Sequence, residues 1–63
     1  MRRNLRQARE AMGLTQAEVA KKVFVCHKHY SEIERGIAVG SVDVWDELED
    51  LFGINQRKLR EDT

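Results

Sequence analysis

Residues 13–36 read GLTQAEVAKKVFVCHKHYSEIERG, and the fold turns on how this stretch divides. Thr15 is a good helix N-cap. Glu18, three residues on, completes a capping-box pattern, in which hydroxyl and carboxylate each satisfy a backbone N–H that the helix start leaves unpaired. The helix so opened carries Val19, Ala20 and Val23 on one face. After Phe24 and Val25, Cys26 stands where a second N-cap is wanted, and Gly36 stops the segment HKHYSEIER that follows. Tyr30, Ile33 and Ile37 recur at the helical period and give this segment an inward stripe. Val19, Ala20, Val23, Val25, Tyr30 and Ile33 are where two steeply crossed helices must touch, and the small Ala20 lets them pack closely. The spacing predicts a helix-turn-helix from Gln16 to Ile33, with the start of its second helix projecting from the body.

Working outward, a first helix is expected from about Arg3 to Met12, with Leu5, Ala8 and Met12 at helical spacing. Ser41 can cap a fourth helix whose stripe is Val42, Trp45, Leu48, Leu51 and Phe52, and Asn55 a short fifth one with Leu59 inward. Proline is absent, and Gly13, Gly36, Gly40 and Gly53 fall between the segments. The expectation is an all-α domain, residues 1–63, of five short helices with no strand and no linker.

A chain of 63 residues buries only about 60% of the surface its unfolded form exposes, so stability is thin. It leaves little room for an enclosed substrate pocket of roughly 300 Å³ or more. The single cysteine, Cys26, excludes an internal disulfide and points to a reducing compartment. No apolar run approaches the roughly 18 residues of a membrane span, and the charged start MRRNLRQARE is no signal peptide, so a cytoplasmic protein without a membrane partner is expected. Net charge is zero, but its distribution is not even. Residues 1–35 carry eight basic against four acidic side chains, and residues 36–63 three against seven. Such polarity is what one nucleic-acid face requires, although solvated helix faces also produce it.

The sequence resembles the phage repressor and Cro-type helix-turn-helix regulators, also called Xre-type. The matching residues are LRQAREAMGLTQAEVAKKV, then SEIERG, then the acidic amphipathic helix ending LFGI. The likeness covers roughly Leu5 to Leu59, and GLTQAEVA with IERG at this spacing is its specific part. It implies a compact five-helix lambda-repressor-like DNA-binding domain with the helix-turn-helix at helices 2 and 3, acting on double-stranded DNA as a transcriptional repressor. Gln16 matches a residue that binds phosphate and braces the recognition helix. His27, Lys28 and Glu32 match positions that reach base edges. Arg9 and Glu34 match an internal ion pair between the first and third helices. Family members commonly form homodimers through the loop after the recognition helix and the fourth helix, on palindromic sites; Ile37 and Val39, in the apolar run of GIAVGS, are the candidate contacts here.

Helical geometry agrees with those roles. With Tyr30 and Ile33 inward, a rotation of about 100° per residue presents His27, Lys28, Ser31, Glu32 and Arg35 outward. Lys28 can donate to guanine, Glu32 can accept from cytosine N4, and His27 can do either. Gln16, Lys22, Ser31, Arg35 and the amino-terminal Arg2 and Arg3 are the expected phosphate contacts, which set register without reading sequence.

Three residues depart from the pattern. Phe24 stands where the family has a glycine in a left-handed conformation, so either the turn rearranges and packs Phe24 locally, as expected here, or Phe24 is an exposed anchor for a partner. Cys26 replaces a Ser or Thr cap, and a thiol is a poor acceptor. Glu32 repels phosphate and therefore lowers general affinity while sharpening specificity. Cys26, His27 and His29 on one turn cannot close a tetrahedral metal site, so no metal or cofactor is expected. Cys26 beside His29 has no cleft to hold a substrate, so no enzyme is expected. Trp45 and Phe52 read as core. A protein-interaction module of the same fold, antitoxin- or adaptor-like, binding through Phe24 and the acidic fourth helix, is the alternative function.

Overall fold

The computed structural model describes residues 1–61. Among these, five helices form and no strand: α1 (Arg3–Ala11), α2 (Gln16–Lys22), α3 (His27–Arg35), α4 (Val42–Phe52) and α5 (Gln56–Leu59). Each boundary has a chemical cause. Thr15 Oγ1 accepts from the Glu18 N–H at 3.1 Å while Glu18 Oε1 accepts from the Thr15 N–H at 2.9 Å, so the capping box is complete. Cys26 Sγ accepts from the His29 N–H at 3.4 Å, Ser41 Oγ from Val44 at 3.3 Å, and Asn55 Oδ1 from Arg57 at 2.8 Å.

α2 packs across α3, α1 bridges α3 and α5, and α4 lies on α5. The core between them is Leu5, Ala8, Val19, Ala20, Val23, Tyr30, Ile33, Val44, Trp45, Leu48 and Leu59, with Leu14, Val25, Leu51, Phe52 and Ile54 partly buried around it. Three expected core positions are corrected. Met12 is half exposed because α1 ends at Ala11. Ile37 is 62% exposed: Gly36 adopts a left-handed φ of 83° and ends α3, so the helical period that links Tyr30, Ile33 and Ile37 stops one residue too soon. Val42 is exposed and Val44 buried in its place, because the α4 stripe is set by Trp45 and Leu48 from the middle of the helix.

The loop from α3 to α4 is fastened over the core. The Trp45 indole Nε1 donates to the Val39 carbonyl at 2.7 Å. Gly40 lies so close below that a β-carbon there would stand 3.2 Å from both Ile33 Cδ1 and Trp45 Nε1. Its φ of 82° adds a conformational requirement to the steric one. Trp45 thus holds both the core and the loop.

Candidate nucleic-acid interface

α3 is fixed near its carboxyl end by a polar cluster on Glu34. Arg9 of α1 and Glu34 of α3 form a fork-to-fork pair, Nε to Oε2 at 2.8 Å and Nη2 to Oε1 at 3.1 Å. Gln16 Nε2, at the first residue of α2, donates to Glu34 Oε1 at 3.2 Å. Arg9 Nη1 donates to the Leu14 carbonyl at 2.9 Å, which draws in the α1–α2 link as well. Glu34 is 1% exposed. Burial alone would raise the pKa of its carboxyl, but the hydrogen bonds from Arg9 and then Gln16 outweigh it and hold the group below its ordinary range. Three helices therefore meet on one carboxylate. The Gln16 amide spends one of its two N–H groups on Glu34.

Tyr30 backs the same cluster. Its hydroxyl lies beside the Glu34 carboxylate, yet it is buried without a hydrogen bond of ordinary geometry. Burial, then the negative charge of Glu34, raises the pKa of the phenol far above its usual range.

The turn between α2 and α3 keeps the left-handed geometry without a glycine. Phe24 has φ 64° and is the only non-glycine residue with positive φ among the described residues. Its phenyl is 82% exposed, so the expectation that it packs locally is corrected. The Val25 N–H donates to the Ala20 carbonyl at 3.0 Å, which closes the turn and leaves Val25 half-buried beneath it. The turn stays short because the left-handed residue is tolerated, and the tolerated residue points outward.

On the outer side, His27 and Lys28 are exposed, and Ser31 and Glu32 are half-buried on the same helix. Arg35 is exposed at the far end, with Lys21 and Lys22 exposed on α2 and Arg3 on α1. None of Arg3, Lys21, Lys22, Lys28 and Arg35 forms an ion pair among the described residues; only the field of Lys22 reaches Glu18. Their charges are available to an anion. α3 thus presents an exposed amino-terminal turn with two cationic or cationisable side chains, and a row of loose cations surrounds it.

The chain matches the model of a helix-turn-helix domain over residues 1–62. It belongs to the helix-turn-helix domain family. No curated protein and no solved structure matches it. Within this helix-turn-helix domain, α2 is the bracing helix and α3 the one whose amino-terminal turn is free. An open concavity of about 750 Å³ runs along Asn55, Gln56, Arg57, Lys58, Arg60 and Glu61, around α5, and its lining includes no residue of α3.

One expected contact is corrected outright. Arg2, assigned to phosphate, is only 8% exposed. Its guanidinium Nη1 donates to the carbonyls of Ile33 and, at 2.8 Å, of Ala38, and its Nε donates to the Arg60 carbonyl at 3.2 Å. Its backbone N–H donates to the Glu34 carbonyl at 2.9 Å. The guanidinium carbon lies 5.3 Å from the Trp45 ring centre, and that of Arg60 lies 5.4 Å from it. A cation here meets the negative carbonyl end of α3, where the helix dipole favours it. Arg2 is a cap on the carboxyl end of α3. Nothing in local sequence marks that role, since its partners lie more than thirty positions away.

Proposed function

We propose that this helix-turn-helix domain is a sequence-specific DNA-binding transcriptional regulator of the phage repressor and Cro type. It inserts α3 into the major groove and represses by occupying a promoter. The observation that carries the reading is the exposed amino-terminal turn of α3, with His27 and Lys28 outward and the helix braced behind by the Arg9–Glu34–Gln16 cluster. Lys28, His27 and Glu32 read bases; Gln16, Lys22, Ser31, Arg35 and Arg3 hold phosphates. On a palindromic operator two copies set their recognition helices about 34 Å apart. The exposed Ile37 and Val39 offer the apolar surface for contact between them.

A binding titration against a randomised duplex library, followed from about 50 to 200 mM salt, tests this, because binding through several phosphates weakens steeply over that range. No binding at the low-salt end overturns the proposal. Two variants separate the roles. Lys28→Ala should weaken binding to every duplex by about 1–3 kcal/mol, whereas Glu32→Ala should relax base preference and raise non-specific affinity. Equal losses from both would show the assignment of roles to be wrong.

A further inference from the structure

Ile37 and Val39 are 62% and 69% exposed on the loop between α3 and α4. A loop that flexed freely would carry no orientation from one copy to the next. This one is tied down at each step. The N–H groups of Ile37 and Ala38 both donate to the Glu32 carbonyl, at 2.9 and 3.1 Å, so the loop starts on a residue assigned above to base reading. Beyond that point side chains take over from the backbone. The Ala38 carbonyl accepts from Arg2 Nη1 at 2.8 Å, and the Val39 carbonyl from Trp45 Nε1 at 2.7 Å. Arg2 Nη1 also donates to the Ile33 carbonyl in the last turn of α3.

A guanidinium nitrogen is planar, and its two N–H bonds diverge at a fixed angle. Arg2 Nη1 therefore sets the Ala38 carbonyl relative to the Ile33 carbonyl, which an ammonium with rotatable donors would not do. The guanidinium is itself held, by Nε on the Arg60 carbonyl at 3.2 Å and by the Trp45 ring, whose centre lies 5.3 Å from its carbon. Arg2 is 8% exposed, so water competes little for these acceptors.

We infer that Arg2 is a positioning residue for DNA binding. It joins the loop to the last turn of α3, so that contact between copies through Ile37 and Val39 fixes the angle of each recognition helix. The half-site spacing that the pair accepts is then set in part by a buried arginine that reads no base. This inference rests on the dimeric reading proposed above.

Two variants test it, both checked for folding by circular dichroism. Arg2→Lys keeps a cation at the carboxyl end of α3 and loses the planar fork. Trp45→Phe keeps a ring and removes the N–H from the Val39 carbonyl. Without DNA, hydrogen exchange at Ile37 and Ala38 should quicken about tenfold in Arg2→Lys, while the middle of α3 keeps its protection. Binding is then compared on a selected palindrome, on its half-site, and on the palindrome with about two base pairs inserted, which turns one half-site about 70° around the duplex. The parent should prefer the original spacing by about tenfold or more, since avidity is lost where geometry forbids joint engagement. In both variants half-site affinity should stay within about twofold of the parent's, and the spacing preference should shrink to about threefold or less. A spacing preference equal to the parent's overturns the inference, as does unchanged exchange at Ile37 and Ala38. So does half-site affinity that falls as far as palindrome affinity, because Arg2 then acts only on the fold. A parent indifferent to spacing defeats the dimeric reading, and the inference with it, before any variant is made.

Discussion

Phe24 is the residue at which sequence and geometry disagree most openly. The chain needs a left-handed conformation to turn from α2 into α3 within four residues, and it adopts φ 64° with a phenylalanine in place. Phe24→Gly should therefore stabilise the fold by up to about 1 kcal/mol, the strain relieved less the added freedom of the unfolded chain. Phe24→Ala keeps the strained β-carbon and removes only exposed carbon, so its effect should stay within about 0.5 kcal/mol. Urea midpoints for the pair check this; equal values would show that the turn is unstrained. The presence of a turn here was legible, because Thr15, Cys26 and the helical spacing bracket it. The fate of the phenyl was not, since a left-handed phenylalanine and a repacked one leave the same residues in the same order.

At the scale of the elements, the polar starts and the glycine stops at Gly36 and Gly53 were readable, and the reach of the apolar stripes was not. Thr15, Ser41 and Asn55 each make the cap bond their chemistry predicts, and Cys26 makes one too although a thiol is a poor acceptor. The carboxyl ends fail where periodicity is carried past the last hydrogen-bonded turn, at Met12 and Ile37. Arg2 shows a deeper limit. Charge near a chain start suggests an arm reaching outward, but three carbonyls and an indole face supply a better site within the fold. Arg2→Ala should cost about 2–3 kcal/mol, the scale of charge-assisted hydrogen bonds whose acceptors are left buried. Hydrogen exchange should show the loss concentrated at the carboxyl end of α3. Uniform loss across all helices would mean that Arg2 acts only on global stability.

For the molecule as a whole, the buried cluster of Arg9, Glu34 and Tyr30 sets the pH range of stability. Glu34 has a folded pKa below its ordinary 4.5. Its contribution is complete above that value and disappears as pH falls through the folded one. Tyr30 is displaced upward from 10.0, so its neutral form supports the fold below that pH and support declines as pH rises beyond it. Stability should be flat between these limits and fall outside them. Glu34→Gln should flatten the acid side while lowering the plateau by about 3 kcal/mol, because Arg9 is left without its charge partner. Tyr30→Phe should remove the alkaline decline, and the difference between its plateau and the parent's measures what the buried hydroxyl contributes beside Glu34. Thermal melts from pH 3 to 11 compare the three proteins. An acid limb that survives Glu34→Gln intact would assign it to other carboxylates.

The Arg2 contacts have a further meaning in time. Residue 2 binds the carbonyl of residue 60, fifty-eight positions later, and both guanidinium groups share the Trp45 ring. During synthesis the helix-turn-helix leaves the ribosome well before Arg60 does. The Arg2 contacts to Ile33, Glu34 and Ala38 can form first, and the hydrogen bond to the Arg60 carbonyl closes behind them once α5 has appeared. Closure of this contact spans nearly the whole chain, the kind of long loop that slows folding. A nascent chain halted after α4 would hold Arg2 against α3 but lack the Arg60 carbonyl and guanidinium that fix it over Trp45.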